Sequence, residues 1–234
     1  MKIAIIGYGK MGKMIYQIAV KRGHQVVCII DAIAQNTDSG ESILGQEGFL
    51  TDAFRQADIA IEFTTPTTAE QNIRKCWEQH IPVVSGTTGW NVNALQQELQ
   101  QHTPVIKHHR TPLTWKSNYS IGVQVLFELN RILAEKLRIY PQYTPAISET
   151  HHIHKLDKPS GTAKTLAEDI VVANPNVSPM AIQSIREGEI PGIHIVTWDS
   201  PEDTITLSHS AKGREGLALG AIIEAERVIN DNNE

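Results

Sequence analysis

One stretch of the chain, from Glu149 to Ala163, concentrates side chains that could carry chemistry. It reads Glu-Thr-His-His-Ile-His-Lys-Leu-Asp-Lys-Pro-Ser-Gly-Thr-Ala, with three histidines and two lysines around a Ser-Gly-Thr turn. Histidine can donate or accept a proton near neutral pH, and lysine supplies a compact positive charge. The turn opens a predicted helix, which offers hydroxyls and backbone N–H groups to an anion. The stretch therefore indicates a site that binds a carboxylate and donates a proton.

Simpler interpretations of the same residues remain open. A histidine cluster can bind zinc, but His151, His152 and His154 lack the usual spacing of zinc ligands, so we expect no metal. In the simpler interpretation, Asp157 orients the loop and Ser160 caps the helix, and neither takes part in the chemistry.

A second motif, Gly7-Tyr8-Gly9-Lys10-Met11-Gly12, follows a short apolar run at the start of the chain. In this spacing the glycines allow a tight turn, a close approach of the backbone to a pyrophosphate, and close packing of a helix on a strand. Asp31 ends the next apolar run, where an acid would bind the adenosine ribose. The motif predicts a dinucleotide site, although a glycine-rich turn in another doubly wound protein is the alternative. Asp31 favours NAD, whereas Lys10 could accommodate NADP.

The elements that must position these motifs alternate between strand and helix in the first half of the chain. Apolar runs predict strands at residues 3–6, 26–30, 58–63, 82–85 and 104–107. Helical periodicity predicts helices at residues 11–22, 67–79 and 93–101. Gly23 is the expected left-handed stop of the first helix, and Thr67 with Glu70 forms a capping-box pattern for the second. Residues 35–48 are predicted to form mainly a loop. The alternation is typical of a parallel sheet with helices on both faces.

The second half predicts a different architecture. A long helix at residues 121–137 should turn Val125, Leu129, Ile132 and Leu133 to its apolar side. Strands are predicted at residues 143–148, 181–185, 193–198 and 204–208, with helices at 162–172 and 216–230. We therefore expect an α/β protein with a Rossmann-like, doubly wound parallel sheet and a second α+β domain with a mixed sheet. Residues 1–119 and 215–234 form the expected dinucleotide-binding domain, and residues 120–214 the expected substrate-binding and oligomerisation domain.

Composition narrows the class of partner. The chain has 234 residues, 41% of them hydrophobic and 20% charged, as in ordinary globular proteins. Its formal net charge of −5 argues against nucleic acid or an anionic membrane as a partner. Cys28 and Cys76 lack metal-ligand spacing and fit a reducing cytoplasm. No apolar stretch is long enough for a transmembrane helix.

The pattern Glu-x-His-His-x-x-Lys-x-Asp-x-Pro-Ser-Gly-Thr-Ala, complete from Glu149 to Ala163, resembles the signature of the dihydrodipicolinate reductase family. Other segments along the chain are also similar to that family. They are Glu62-Phe63-Thr64-Thr65-Pro66, Ser85-Gly86-Thr87-Thr88-Gly89, Asn118-Tyr119-Ser120-Ile121-Gly122-Val123, Ser184-Ile185-Arg186-x-Gly188, Gly192-x-His194 and His209-x-Ala211-x-x-x-Arg214.

The resemblance implies that NADH or NADPH reduces 4-hydroxy-tetrahydrodipicolinate, or the dihydrodipicolinate formed from it by loss of water, in lysine and diaminopimelate biosynthesis. His151 then matches the general acid/base and Lys155 a second catalytic residue. The positions expected to hold the substrate are His152, Ser160, Gly161 and Thr162. Beyond the glycine motif and Asp31, the positions expected to contact the cofactor are Gly86, Thr87, Thr88, Ser117, Asn118 and Tyr119. The resemblance also implies a cytoplasmic homotetramer.

Two other functions remain possible from the sequence. One is another amino-acid-pathway dehydrogenase, such as a diaminopimelate, homoserine or aspartate dehydrogenase, which would share the nucleotide-binding half. The other is a non-catalytic NAD(H)-binding sensor, against which the intact His151, Lys155 and glycine motif argue.

Overall fold

The computed structural model describes residues 1–33, 35–36, 42–102 and 113–231. The chain divides into two compact units. The first comprises Met1–Tyr119 and Leu217–Glu234, and the second comprises Ser120–Gly216. No helix in the described part of the chain has the length and apolar character needed to span a membrane.

The first unit is built on a five-stranded sheet in the order β2-β1-β5-β6-β7, in which every pairing is parallel. Its strands are β1 (Lys2–Ile6), β2 (Gln25–Ile30), β5 (Ile59–Glu62), β6 (Val83–Ser85) and β7 (Leu113–Trp115). Its helices are α1 (Lys10–Lys21), α2 (Asp52–Arg55), α3 (Ala69–Glu78), α4 (Val92–His102) and α7 (Glu215–Asn230). A small ribbon of β3 (Gln35–Asn36) and β4 (Ser42–Ile43) precedes a 3-10 helix at Gln46–Leu50.

The central strands of this sheet are buried on both faces, which explains their continuous apolar sequence. One apolar cluster includes Ile3, Ile5 and Ile222, so that α7 contributes to the core on that face. A second cluster includes Ile6, Phe54 and Ile73. The predicted parallel sheet is therefore confirmed.

Four local predictions concern the first unit. Gly23 ends α1 with φ +82°, as expected of a left-handed stop. The capping box is wrong, because Thr68 caps α3 without a side-chain hydrogen bond and Glu70 pairs with Arg74 at 2.8 Å. The predicted strand at 104–107 lies outside the described residues, and the fifth strand of the sheet is β7. Residues 35–48, predicted mainly as loop, include the β3–β4 ribbon and the start of the 3-10 helix.

The second unit contains a four-stranded sheet in the order β11-β10-β8-β9. Its elements are α5 (Ile121–Leu137), β8 (Thr144–His151), α6 (Gly161–Ala173), β9 (Ile182–Arg186), β10 (Ile193–Asp199) and β11 (Thr204–Ser210). The β8–β9 pair is parallel and the other two pairs are antiparallel, which confirms the predicted mixed sheet. Its core joins α5 and α6 to one face of the sheet through Phe127, Leu166, Val196 and Trp198.

The apolar face predicted for α5 is largely wrong. Val125, Leu129 and Ile132 are 46–48% exposed, and only Leu133 packs against the core. The residues that α5 buries are Val123, Leu126, Phe127, Asn130, Ala134 and Leu137. The helix carries apolar side chains on several faces, so periodicity alone does not identify the face that packs.

Candidate active site

The glycine motif forms the turn between β1 and α1, and two of its glycines are required by close packing. A Cβ on Gly7, where φ is +93°, would lie 2.1 Å from the carbonyl oxygen of Phe63. A Cβ on Gly12 would lie 1.9 Å from the carbonyl oxygen of Gly7. A Cβ on Gly9 would meet no described residue within 4 Å, so the described part of the chain leaves open space in front of the N-terminus of α1. This arrangement fits a dinucleotide pyrophosphate.

The other residues of this turn differ in accessibility. Asp31 follows β2, and its Oδ2 accepts a hydrogen bond from the backbone N of Tyr8 at 2.5 Å. The ring of Tyr8 is buried edge-on against Tyr16, whereas Lys10 is exposed and Met11 is half-buried. Tyr8 can therefore offer a ligand little beyond its backbone, while Lys10 is free to reach a charged group.

A fully buried carboxylate, Glu62, joins the loops that follow β5 and β6. It accepts hydrogen bonds from the backbone N of Thr64 at 2.9 Å, Ser85 Oγ at 2.6 Å and Thr87 Oγ1 at 2.9 Å. Gly86 fits closely, because a Cβ there would lie 2.2 Å from the ring of Phe63. The sequence placed Glu62 in a segment similar to a nicotinamide-side loop of the family, but gave its side chain no role of its own.

The remaining predicted cofactor residues lie in these loops or just beyond β7. Thr87 is buried and Thr88 is half-buried. Ser117 and Asn118 are half-buried, and Tyr119 is buried, with its hydroxyl donating to the carbonyl oxygens of Ser85 and Thr114 at 2.9 and 2.8 Å. The Tyr119 side chain therefore braces the core of the first unit.

In the second unit, the inner face of the sheet changes from apolar to polar at the end of β8. Ile147, Glu149 and His151 alternate along this strand and are all buried. The sheet register places His194 of β10 and Ser184 of β9 opposite Glu149. One polar residue from each of three neighbouring strands therefore lies in a row.

His151 is enclosed by this row. Its Nδ1 lies 3.4 Å from Oε2 of Glu149, and its ring meets the ring of His194 edge-on at a centroid distance of 5.0 Å. Nε2 of His194 lies 3.8 Å from the same Oε2 and 3.4 Å from Oγ of Ser160. Glu149 and His194 belong to family-like patterns of the sequence, but sequence reasoning gave neither side chain a role. The predicted strand ended at residue 148, so it did not show that Glu149 and His151 share one face of β8.

Burial sets the protonation of these groups. It lowers the pKa of His151 to about 4, although the Glu149 carboxylate opposes the shift. Burial, aided by His151, lowers the pKa of His194 to about 3. Burial alone would raise the pKa of Glu149, but hydrogen bonding from Ser160 and the nearby His151 leave it lowered. At neutral pH, Glu149 is therefore a carboxylate, and His151 and His194 beside it are both uncharged imidazoles.

The predicted substrate residues surround the start of α6. Ser160 is its N-cap, because its Oγ accepts from the backbone N of Ala163 at 3.2 Å. Its own backbone N donates to Oε1 of Glu149 at 3.0 Å. Gly161 is the first residue of the helix, and the neighbouring Thr162 is buried.

Several cations line the loop that follows β8. Lys155 Nζ pairs with Asp157 at 2.7 Å. Arg186 donates to the carbonyl oxygens of Lys155 and Asp157 at 3.3 and 2.5 Å, which fixes the course of the loop. Arg214 lies 3.3 Å from Nε2 of His152. The structure thus gathers His151, Ser160 and the loop cations at one end of the second unit.

Glu149, His151 and His194 offer ligand atoms within 4.8 Å of one another, which is a spacing that a metal ion could use. The guanidinium of Arg186 already lies 3.2 Å from Glu149, and the positive charge of Lys155 acts on both imidazoles. Two cations beside the cluster oppose the binding of a third, so the arrangement suits an acid/base site better than a metal site.

The parallel sheet with its glycine turn and the separate mixed-sheet unit define the fold of two-domain, nicotinamide-dependent dehydrogenases. A dipicolinate-bound dihydrodipicolinate reductase from a Paenisporosarcina species has this fold, with a TM-score of 0.75 at 20% identity over 98% of this chain and 94% of that chain. So does aspartate semialdehyde dehydrogenase II from Vibrio cholerae, with a TM-score of 0.57 at 12% identity over 98% of both chains.

Sequence comparison is more specific. The family models described as dihydrodipicolinate reductase, N-terminus and C-terminus, match residues 1–119 and 122–234. A 4-hydroxy-tetrahydrodipicolinate reductase of Christiangramia forsetii is 37% identical over 97% of this chain and 91% of that protein. One from Staphylococcus aureus is 32% identical over 100% of this chain and 97% of that protein. The chain belongs to the dihydrodipicolinate reductase family, whose members use a nicotinamide cofactor.

Proposed function

We propose that this chain reduces 4-hydroxy-tetrahydrodipicolinate to tetrahydrodipicolinate with NADH or NADPH, as a step of lysine and diaminopimelate biosynthesis. The observation that carries the proposal is the cluster at one end of the second unit. There a buried imidazole, His151, lies beside Glu149 and His194, which contact the N-cap residue Ser160 of α6, and near the loop that bears Lys155. Such a site can attract a small dicarboxylate and give it a proton.

Substrate binding depends on local positive charge, because the whole chain carries a formal charge of −5. Lys155, together with the first-turn N–H groups of α6, supplies that charge to a dianion. His152, Ser160, Gly161 and Thr162 would hold its carboxylates. Because Asp157 pairs with Lys155 at 2.7 Å, a substrate carboxylate competes with it for the ammonium group.

The proton would come from His151, with Lys155 as the second catalytic residue. With a pKa of about 4, His151 is uncharged at neutral pH before substrate binds. A dianion beside the ring favours the imidazolium form, so substrate binding and protonation of His151 reinforce each other. The 4-hydroxyl first leaves as water, together with a ring proton, to give dihydrodipicolinate, whose conjugated imine would accept the hydride that nicotinamide C4 supplies when the cofactor is bound. One proton from the protein completes the reduction, and Lys155 neutralises negative charge that develops on the ring.

The cofactor would lie along the turn of the first unit. Gly7, Tyr8, Gly9, Lys10, Met11 and Gly12 would surround the pyrophosphate, and Asp31 would bind the ribose. The nicotinamide end would meet Gly86, Thr87 and Thr88 of the loop fixed by Glu62, together with Ser117, Asn118 and Tyr119. A carboxylate at position 31 repels a 2′-phosphate, so we expect NADH to be preferred.

We also propose a cytoplasmic homotetramer assembled through the second unit, residues 120–214 in the expected domain limits. The sheet there has one face packed on α5 and α6. On its other face, Ile193 and Ile195 are only half-buried in the single chain, which leaves apolar surface for a partner. Sedimentation velocity tests this directly, and a monomer at micromolar concentration would contradict it.

The activity is tested by following NADH and NADPH absorbance while a synthase generates the substrate from pyruvate and aspartate semialdehyde. His151→Gln and Lys155→Ala should each lose about 10²–10⁴-fold in kcat, the usual contribution of a positioned acid. His154→Gln is the matched control, because that histidine is in the same segment but its side chain is 67% exposed. A wild-type chain that binds NADH without oxidising it in this assay would instead be a sensor or a dehydrogenase with another substrate.

A further inference from the structure

We propose that Glu149 is a positioning residue for His151: its Oε2 accepts the Nδ1–H of the imidazole, which leaves Nε2 as the atom that exchanges a proton with the substrate. This inference rests on the proposed function for its chemical meaning. Which ring nitrogen of His151 carries the proton can nevertheless be measured without turnover of the substrate.

Three neighbours fix the ring of His151. On the Nδ1 side, Oε2 of Glu149 lies 3.4 Å away. Both atoms are buried and make no hydrogen bond among the described residues, so a proton on Nδ1 would give each of them a partner. The ring of His194 packs edge-on at 5.0 Å and 73°. On the Nε2 side, a Cβ on Gly192 would lie 3.1 Å from that nitrogen, so the glycine leaves it room. Hydrogen bonds of catalytic groups are often long before substrate binds, which fits the 3.4 Å separation.

One carboxylate oxygen of Glu149 accepts hydrogen bonds from groups other than the imidazoles. Its Oε1 accepts from the backbone N of Ser160 at 3.0 Å and from Arg186 at 3.2 Å. Oε2 is therefore left for its remaining neighbours, which are the imidazole of His151 and the Ser184 hydroxyl that faces the carboxylate from β9. His194 is a weaker competitor for it, since its Nε2 is 3.8 Å away and has Oγ of Ser160 closer, at 3.4 Å.

The same anchoring makes Glu149→Gln an informative substitution. Ser160 and Arg186 are donors, so they should hold the amide oxygen at the position of Oε1. The amide NH₂ then replaces Oε2 and points a donor at Nδ1 of His151. A proton on Nδ1 is no longer favourable, and the ring should change to the tautomer with the proton on Nε2.

Nitrogen NMR of the full chain with labelled histidine tests this, with the His151 signals identified by their loss in His151→Gln. In the wild type at neutral pH we expect the proton on Nδ1. In Glu149→Gln we expect it on Nε2, with a lower pKa of His151 and a kcat reduced about 10–100-fold, as is usual when an outer partner of a site is removed. The groups facing His151 in this titration are Glu149 on β8, Arg186 on β9, His194 on β10, and Lys155 and Asp157 on the loop after β8.

Glu189→Gln is the matched control, because this carboxylate also pairs with a histidine, His154 at 3.0 Å, but its side chain is 79% exposed. It should leave the His151 signals and kcat unchanged. A wild-type His151 with its proton on Nε2 overturns the proposal, and so does a tautomer that is unchanged in Glu149→Gln. If Glu149→Gln does not fold, the wild-type spectrum alone still shows whether the proton of His151 is on Nδ1, as the proposal requires, or on Nε2. The two proposals can also fail separately. If the His151 proton moves from Nδ1 to Nε2 in Glu149→Gln but the wild type never turns over the substrate, the positioning role is supported and the proposed function is rejected.

Discussion

The pKa of a histidine in this protein depends on where the fold places its side chain. His194 lies on β10 and has a pKa of about 3, because burial and the neighbouring His151 disfavour its charged form. In the unfolded chain the same side chain takes up a proton near pH 6.5. The unfolded state therefore binds more protons below that pH.

This difference predicts an acid-sensitive stability. The free energy of unfolding should be constant with respect to His194 above about pH 6.5 and fall as the pH drops below it, by up to about 1.4 kcal/mol per pH unit for one histidine. His194→Gln should reduce the slope measured by urea unfolding between pH 7.5 and 5, whereas His154→Gln should not. An unchanged slope in His194→Gln would mean that the buried imidazole does not stay neutral.

Asp31 gives a second prediction at the residue scale. Asp31→Ser removes a charge that would repel a 2′-phosphate, so the ratio of kcat/KM for NADPH to that for NADH should rise by about tenfold, corresponding to about 1.4 kcal/mol. Steady-state kinetics with both cofactors provide the measurement. Asp52→Ser, at a side chain that is 90% exposed, is the control. A ratio that does not change would place the ribose away from Asp31.

At this scale, sequence reasoning found the residues that form local motifs and missed those brought together by pairing. His151 and Ser160 belong to one segment and were recognised in it. His194 lies opposite Glu149 only because β10 pairs with β8 in one register, and that register is not written in either strand alone.

At the scale of elements, two glycines of the turn between β1 and α1 have different roles, Gly12 in packing and Gly9 in cofactor binding. Gly12→Ala should destabilise the first unit by about 1–3 kcal/mol, because its Cβ would meet the Gly7 carbonyl oxygen at 1.9 Å. Gly9→Ala should leave stability unchanged, because its Cβ would have none of the described residues within 4 Å, yet it should raise the KM for NADH. Thermal unfolding and cofactor titration of the two variants check this. NADH binding as tight in Gly9→Ala as in the wild type would exclude a pyrophosphate there.

The elements differ in how far they could be predicted. Four strands of the first sheet, β1, β2, β5 and β6, were found because burial on both faces produces uninterrupted apolar runs, whereas β7 was not predicted. The packing face of α5 was not, since its apolar residues cover more than one side and only the partner, here α6 and the mixed sheet, decides which side is buried. The start of α3 was misplaced because several threonines, Thr65, Thr67 and Thr68, bond to one another through their hydroxyls.

At the scale of the whole molecule, the first unit depends on the last helix of the chain. Ala221, Ile222 and Ala225 of α7 are fully buried in the same cluster as Ile3 and Ile5. A chain truncated after Arg214 should therefore lose cooperative unfolding of the first unit and fail to bind NADH, as measured by calorimetry and fluorescence. Truncation after Asp231 should change neither. A first unit that stays folded without α7 would show that the cluster is complete without the helix.

The order of synthesis gives this discontinuity a further consequence. A ribosome that has made residues 1–119 has not yet made α7, so the nascent first unit must wait, with part of its core open to water, while the rest emerges. Residues 120–216 are contiguous and can fold as soon as they leave the exit tunnel. The second unit, although later in the chain, is thus the first whose residues translation completes, while the core of the first unit stays unfinished until α7 has been made.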